Sequence, residues 1–371
     1  MEIVTYIMLA FTTLGAVDRI IGNKIGIGEE FEKGARLLGP MFLSMTGMLV
    51  LAPVIANALS SISGIFPDFL DFSIIPSILI ANDMGAVALS TALSNSLEMG
   101  LFNGLIVASM MGALISFSLP YALETVDKKH HKNMIFGFLC GIVTIPVGCI
   151  VAGLMLGLDF VALLLNLIPL ILISALLAFF IVKFERATVK VFKIFGIFIK
   201  ALITIGLVIG IITFLSDMTV IEGIADFIES NVVIINAACV MTGAFPMLWV
   251  IKKLVNKPMG ALGKKLKINE TATLGFLACA GSFVLQSEMF DKMDERGLVL
   301  NSAFAPAGAF CFVGHLAFTM AINSAYLPAM IVGKLLSGVC GVVLAYYLYQ
   351  RKSNKTSEFD KKEGENENNC A

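Results

Sequence analysis

Around position 83 the chain sets a carboxylate, an amide and a glycine inside an apolar run: Pro76-Ser-Ile-Leu-Ile-Ala-Asn82-Asp83-Met84-Gly85-Ala-Val-Ala-Leu-Ser90. An ionised carboxylate in hydrocarbon costs about 2.5–3.5 kcal/mol on insertion scales, so it demands a partner, a water-filled cavity or a ligand. Gly85 lets the backbone open beside it, which at membrane depth is tolerated only where the opened chain is buried in protein or lines a cavity. A second polar group follows. Gln286 and Ser287 close a run hinged at Gly281, Asn301 and His315 share the next run, and Lys334 sits in the middle of the last. Together these groups suit the hydrogen-bonded capture of a small polar guest, and Asp83 with Asn82 forms half of such a site. Covalent chemistry has no comparable signature. The chain holds no Gly-x-Ser-x-Gly or His-Glu-x-x-His, and Gly22-x-x-x-Gly26-x-Gly28 matches no nucleotide fingerprint. His130-His131 lacks the carboxylate or cysteine spacing of a metal site, so neither a metal nor a cofactor is expected.

Composition decides what kind of element carries these residues. Of 371 residues 58% are hydrophobic and 14% charged, where a soluble chain keeps about a quarter charged. The class is therefore an all-α integral membrane protein. A net charge of -1 excludes a generally basic, nucleic-acid-binding surface. Six of seven cysteines lie in apolar runs, where Cys acts as a small hydrophobe, and Cys370 is misplaced for a prenylation box. Glu2 and the lack of a basic n-region mark the first apolar run as a retained span.

Full spans are expected near 3–21, 37–60, 100–121, 133–157, 159–182, 194–216, 231–251, 297–319 and 324–350, with 22–36 a loop. The runs at about 66–95 and 269–288 are apolar but interrupted. A repeat at an offset of 196 relates the halves: Met45-Thr46-Gly47 recurs as Met241-Thr242-Gly243, Gly85 falls on Gly281 and Gly112-Ala113 on Gly308-Ala309. This divides the chain into a first repeat (1–157), a linking span with a basic loop (158–193), a second repeat (194–350) and a disordered polar tail (351–371). Basic residues cluster at 128–132, 183–193, 252–267 and 351–355, whereas the loop with Asp217, Glu222, Asp226 and Glu229 is acidic, as is the gap holding Asp68 and Asp71. All basic loops are cytoplasmic only if each interrupted run enters and leaves on one side. The expectation is then a bundle of nine spans plus two re-entrant hairpins, N-terminus outside and C-terminus inside, built as an inverted repeat. The alternative is eleven full spans with parallel repeats.

Other polar residues have plainer readings. Lys334 is too deep to snorkel, and its bland role is a buried ion pair with Asp83. Asp18 and Arg19 are expected to pair at the end of the first span. Trp249 and Tyr326 are read as interface anchors that are also able to face a cation. Asn103 is the counterpart of Asn301 in the first half.

Several stretches resemble one family. Leu14-Gly15-Ala16-Val17-Asp18 with Gly26-Ile-Gly28-Glu-Glu-Phe31-Glu32-x-Gly34, Ala81-Asn82-Asp83-Met84-Gly85, and Arg296-Gly297-Leu-Val-Leu-Asn301-Ser-Ala-Phe304 running into Gly314-His315-Leu-Ala-Phe318 are similar to the ethanolamine-utilization permeases, the EutH family. The likeness covers about residues 1–350; where an acid is expected before the histidine, this chain has Gly314. It implies a multi-pass protein of the cytoplasmic membrane that brings in ethanolamine for catabolism by other proteins. Ethanolamine is a small ammonium with a hydroxyl two carbons away. Asp83 and Asn82, with Gln286, Ser287, Asn301 and His315 from the other half, offer the groups it needs. A nucleoside-type carrier is the competing transporter, although one Trp and six Tyr give little aromatic stacking; an intramembrane enzyme is the competing class. The partners expected are ethanolamine or a similar amine and the lipid bilayer, with homo-oligomerisation left open.

Overall fold

In hydrocarbon each backbone N–H and C=O has to be paired within its own segment, so long apolar runs become helices and nothing else. The computed structural model follows this rule. It describes residues 2–63, 66–67, 69–216 and 218–369, with side chains described for these except residues 2, 62, 63, 185, 189, 256 and 352–369. Asp68, Asp217 and Cys370 lie outside the described residues, as do the side chains of the expected polar tail beyond Arg351. In chain order the helices are α1 (Glu2–Ile20), α2 (Ile27–Arg36), α3 (Leu38–Ser63), α4 (Ile74–Leu79), α5 (Ala86–Leu93), α6 (Leu97–Thr125), α7 (Lys128–Met155) and α8 (Phe160–Lys183). They continue with α9 (Glu185–Ser216), α10 (Phe227–Leu266), α11 (Glu270–Gly281), α12 (Phe283–Ser287), α13 (Glu295–Gly308), α14 (Gly314–Asn323) and α15 (Leu327–Asn369). Among the described residues there is no strand, and eight helical stretches are long and apolar enough to cross a membrane.

Both interrupted runs fold as hairpins. In the first, α4 and α5 have 6 and 8 residues, roughly 9–12 Å each at ~1.5 Å per residue, against a hydrocarbon core of about 30 Å. Its two feet meet: the Asp71 carboxylate accepts from Ser94 Oγ at 2.7 Å and from the Asn95 N–H at 3.0 Å. Higher up, Ser77 Oγ and Ser90 Oγ lie 2.6 Å apart across the hairpin. The second hairpin is α11 and α12. Its feet are joined where the Asn269 N–H donates to Asp294 Oδ1 and Asn269 Nδ2 to the Lys292 carbonyl, both at 2.8 Å. Each run returns to the side it came from, and eleven full spans are not what the chain builds.

Two expectations need correcting. The predicted span 297–319 is not continuous: α13 ends at Gly308, residues 309–313 are unwound, and α14 starts at Gly314. Pro306 within α13 and Phe310 at φ 60° mark the interruption. The predicted loop 22–36 contains a helix. Ile27, Gly28, Phe31 and Gly34 form a stripe of apolar and small residues on α2, and Gly34 lies directly on the Met241–Thr242 backbone of α10. The expected Asp18–Arg19 pair is also absent. Asp18, 1% exposed, instead accepts from the backbone N–H groups of Ile25, Gly26 and Gly28 at 2.9–3.0 Å, and Arg19 reaches Glu32 at 2.8 Å.

Contacts between loops sort the two ends of the bundle. At one end Lys129 and His130 both reach Asp291 at 2.8 Å, and Arg296 lies over the Tyr346 ring. The hydrogen bond from Lys129, with a further one from His130, holds the Asp291 carboxyl below the usual carboxylate range. At the other end Tyr326 Oη donates to the Glu98 carbonyl, beside the feet of the first hairpin. Thiol labelling from one side of the membrane tests the hairpin: Phe69→Cys and Asn95→Cys are expected to react with an impermeant reagent from the same side. Reaction from opposite sides would replace the hairpin with a crossing.

Candidate functional site

The tip of the first hairpin is where the backbone leaves helical geometry. Ile80 is extended (φ −122°, ψ 137°), Asn82–Met84 make a single turn, and Gly85 takes φ 99°, which a side chain disfavours. A Cβ there would also run into the Met48 side chain. The tip is held by α6, an unusually wide helix. There the Ala113 N–H bonds to the Ala108 carbonyl and the Leu119 N–H to that of Leu114, both i→i−5 contacts. Gly112 of α6 admits the Ile80 carbonyl, and Ser116 Oγ accepts from the Ala81 N–H at 3.1 Å.

This arrangement buries Asn82 completely yet gives neither its Oδ1 nor its Nδ2 a hydrogen-bond partner. A buried polar group left unpaired costs about 1–3 kcal/mol, so two on one side chain are conspicuous. Asp83, next along and half-buried, forms no ion pair among the described residues, and its carboxylate accepts from its own backbone N–H.

Facing the tip is α14, which packs on residues 82–84. The break before it is stitched to the second hairpin: the Phe310 N–H donates to the Cys279 carbonyl at 3.0 Å and the Phe312 N–H to the Ala280 carbonyl at 2.8 Å. Irregular backbone at this depth is thereby satisfied by protein, as it must be. His315, 2% exposed, follows directly. Its Nδ1 lies 3.0 Å from Lys334 Nζ, which also donates to the Ser109 carbonyl. An ammonium is a donor only, so Nδ1 accepts and the ring proton is on Nε2. One turn on, the Thr319 hydroxyl is fully buried and unpaired. The expected Lys334–Asp83 ion pair is not formed. Lys334 is tied to His315 and Ser109, and balances the charge of Asp83 without touching it.

The other candidates belong elsewhere. Gln286 Nε2 donates to Asn301 Oδ1 at 3.0 Å, and Asn301 Nδ2 donates to the Ala272 and Gly297 carbonyls at 2.7 and 2.9 Å. This knot ties the base of the second hairpin to α13. Asn103 does the same for the first hairpin, donating to Ser73 Oγ at 2.8 Å and accepting from Asn166 Nδ2 at 2.8 Å. The Ser287 hydroxyl bonds to the Val284 carbonyl at 2.8 Å. Gly281 is the last residue of α11, and the turn itself falls on extended Ser282 (φ −161°, ψ 132°). Of the six candidates, Asn82 and Asp83 lie on the turn that α14, the helix of His315, packs against, while Gln286 and Asn301 bond to each other and Ser287 to Val284. Thr319 and Asn166 were missed. Thr319 had a signal, being one helical turn after His315. Trp249 carries the Lys253 ammonium at 3.5 Å from its ring centroid.

Comparison with known proteins follows from this geometry. The family described as "Ethanolamine utilisation protein, EutH" matches residues 1–348. A Listeria monocytogenes protein named "Probable ethanolamine permease EutH" is 40% identical over 363 residues, covering 96% of this chain and 97% of its own. "Uncharacterized protein YxeR" of Bacillus subtilis is 34% identical, covering 95% and 96%. The Escherichia coli protein named "Probable ethanolamine permease EutH" is also 34% identical with the same coverages. No solved structure matches the chain significantly.

Thermal unfolding in detergent separates the two groups of polar residues. Asn301→Ala removes the Oδ1 acceptor of Gln286, leaving its Nε2 the Asn301 backbone carbonyl at 3.2 Å, and removes the donor to the Ala272 and Gly297 carbonyls; it is expected to destabilise by about 1–3 kcal/mol. Asn82→Ala removes no protein hydrogen bond and is expected to leave the midpoint unchanged or raised.

Proposed function

The chain belongs to the EutH family, and from that premise we propose that it takes up ethanolamine across the membrane and binds it at the tip of the first hairpin. The observation that carries the site is Asn82, a fully buried amide with both polar atoms unpaired, next in the chain to the Asp83 carboxylate. Ethanolamine supplies what they lack. Its ammonium donates to Asp83 and to Asn82 Oδ1. Its hydroxyl oxygen accepts from Asn82 Nδ2 or from the Nε2–H of His315, and the hydroxyl proton goes to Thr319. Lys334 keeps the empty site near neutral while His315 and Ser109 hold its ammonium back.

Orientation follows from charge. The contacts of Lys129 and His130 with Asp291, and of Lys193 with Glu124, gather the basic loops at one end of the bundle; by the positive-inside rule that end is cytoplasmic. The N-terminus is then outside and the feet of the first hairpin face outward, while those of the second face the cytoplasm. This is the opposed insertion of an inverted repeat. A potential negative inside draws the cation inward by about 2.3 kcal/mol per 100 mV, so uptake requires no coupling ion.

Uptake of labelled ethanolamine into proteoliposomes is expected to be saturable and to rise when an inside-negative potential is imposed. Asp83→Asn is expected to abolish it with the protein still inserted, and Asn82→Ala to lower it about tenfold or more, equivalent to ~1.4 kcal/mol. Full uptake by Asp83→Asn would remove the carboxylate from the mechanism. Uptake restored by adding Lys334→Met to Asp83→Asn would make the two charges a structural pair.

A further inference from the structure

Helix α2 carries charge at a depth where lipid does not accept it. Gly34 rests on the Met241–Thr242 backbone, and Met241 is 14 residues from either end of the apolar stretch Phe227–Val255 (241 − 227 and 255 − 241). The charged face of α2 therefore lies alongside the middle of a membrane span. Its Lys33 and Arg36 side chains are 57% and 79% exposed, joined only to Glu30 at 2.5 Å and Glu32 at 2.8 Å on the same helix. Ionisable residues at membrane depth face a bundle interior or a water-filled cavity, not acyl chains.

Such a cavity lies beside them. A crevice of about 410 Å³ opens between α2, α10 and the turn of the second hairpin, lined by Glu30, Lys33, Trp249, Lys252, Gly281 and Ser282 among others. At about 30 Å³ of liquid volume per molecule it has room for roughly a dozen waters. Its outer end is at Lys252, near the close of α10's apolar stretch, and its inner end is the turn at Ser282. On the far side of that turn the Cys279 and Ala280 carbonyls hold Phe310 and Phe312, and the His315 N–H bonds back to the Phe310 carbonyl at 3.1 Å. The hairpin turn, which lines the crevice, is thus linked by hydrogen bonds through residues 309–313 to His315.

We infer that this crevice is a water-filled vestibule open on the side of the basic loops, and that substrate leaves the site through it when the turn at Gly281–Ser282 moves. The inference rests on the permease reading for its direction. The charged lining sets Glu30 against Lys33, Arg36 and Lys252, and Glu30 is already joined to Lys33, so the wall offers a small cation no site that would trap it. Trp249, a lining residue, carries the ammonium of Lys253 on its ring, an attraction open to any small ammonium.

The test uses the full chain with single cysteines at the vestibule wall and floor, Lys33→Cys and Ser282→Cys, and Glu30→Cys as a second wall position. Val143→Cys, 55% exposed in the middle of α7, reports lipid-facing surface, and the unaltered chain gives the background from exposed Cys239. Each is treated with a charged, membrane-impermeant maleimide in inside-out and in right-side-out vesicles. A thiolate forms readily only in water, so the vestibule positions are expected to react in inside-out vesicles about tenfold or more faster than Val143→Cys. No reaction from either side would mean that lipid or a second copy covers this face, and reaction from the outer side alone would reverse the direction; either overturns the inference. Labelling is independent of uptake, so loss of the vestibule and loss of ethanolamine transport are read separately. A variant that elutes as aggregate in detergent is replaced by its neighbour on the same face.

Discussion

Unpaired polarity in hydrocarbon is the constraint that orders this molecule. Each place where the backbone leaves the helix at membrane depth is satisfied by another part of the protein: Ala81 by Ser116, and residues 310 and 312 by the carbonyls at the end of α11. Each hairpin base is knotted by an asparagine from the helix that follows, Asn103 in one half and Asn301 in the other. These two are 198 positions apart (301 − 103), close to the repeat offset of 196 read from the residues. Against this background Asn82 stands out: both polar atoms of its side chain are buried without a partner, where Gln286, Ser302, Thr319 and Ser337 each leave one.

That exception has a physical logic. Filling the tip with apolar side chains would be more stable, because a buried amide without partners is unfavourable by a few kcal/mol. A site that keeps its partners absent until a guest arrives turns that deficit into selectivity: a solute without matched donors and acceptors leaves the groups unpaired and is rejected. On the proposed reading Lys334 serves the same end: held by His315 and Ser109, it offsets the charge of Asp83 at a distance and leaves that carboxylate without an ion-pair partner among the described residues.

Much of this was legible in the chain because the signals were local. Asn82, Asp83 and Gly85 stand together in an apolar run, a cluster that points to a broken turn, and the chain does leave helical geometry there. The short feet of both hairpins followed from charge in the loops. What remained hidden was tertiary. Lys334 meets His315 and Ser109 from distant segments, so sequence offered Asp83 as its natural partner on charge alone. Gln286 and Asn301 are as polar as Asn82, and only their mutual contact reveals them as a structural knot. The charges of α2 disguised a helix as a loop, since its packing stripe depends on Gly28 and Gly34 seating against backbone. The break at 309–313 did leave a trace, Pro306 and Gly308 before it and Gly314 after it, in a run that otherwise read as one span.

The central claim is that the guest is held by the polar groups of the first hairpin tip and not by the Gln286–Asn301 knot of the second. Equilibrium binding of radiolabelled ethanolamine to the purified, detergent-solubilised protein tests it most directly. The account predicts saturable binding by the parent chain and by Gln286→Leu, and its loss in Asn82→Leu and Asp83→Asn. Binding retained by the two tip variants and lost in Gln286→Leu would contradict it.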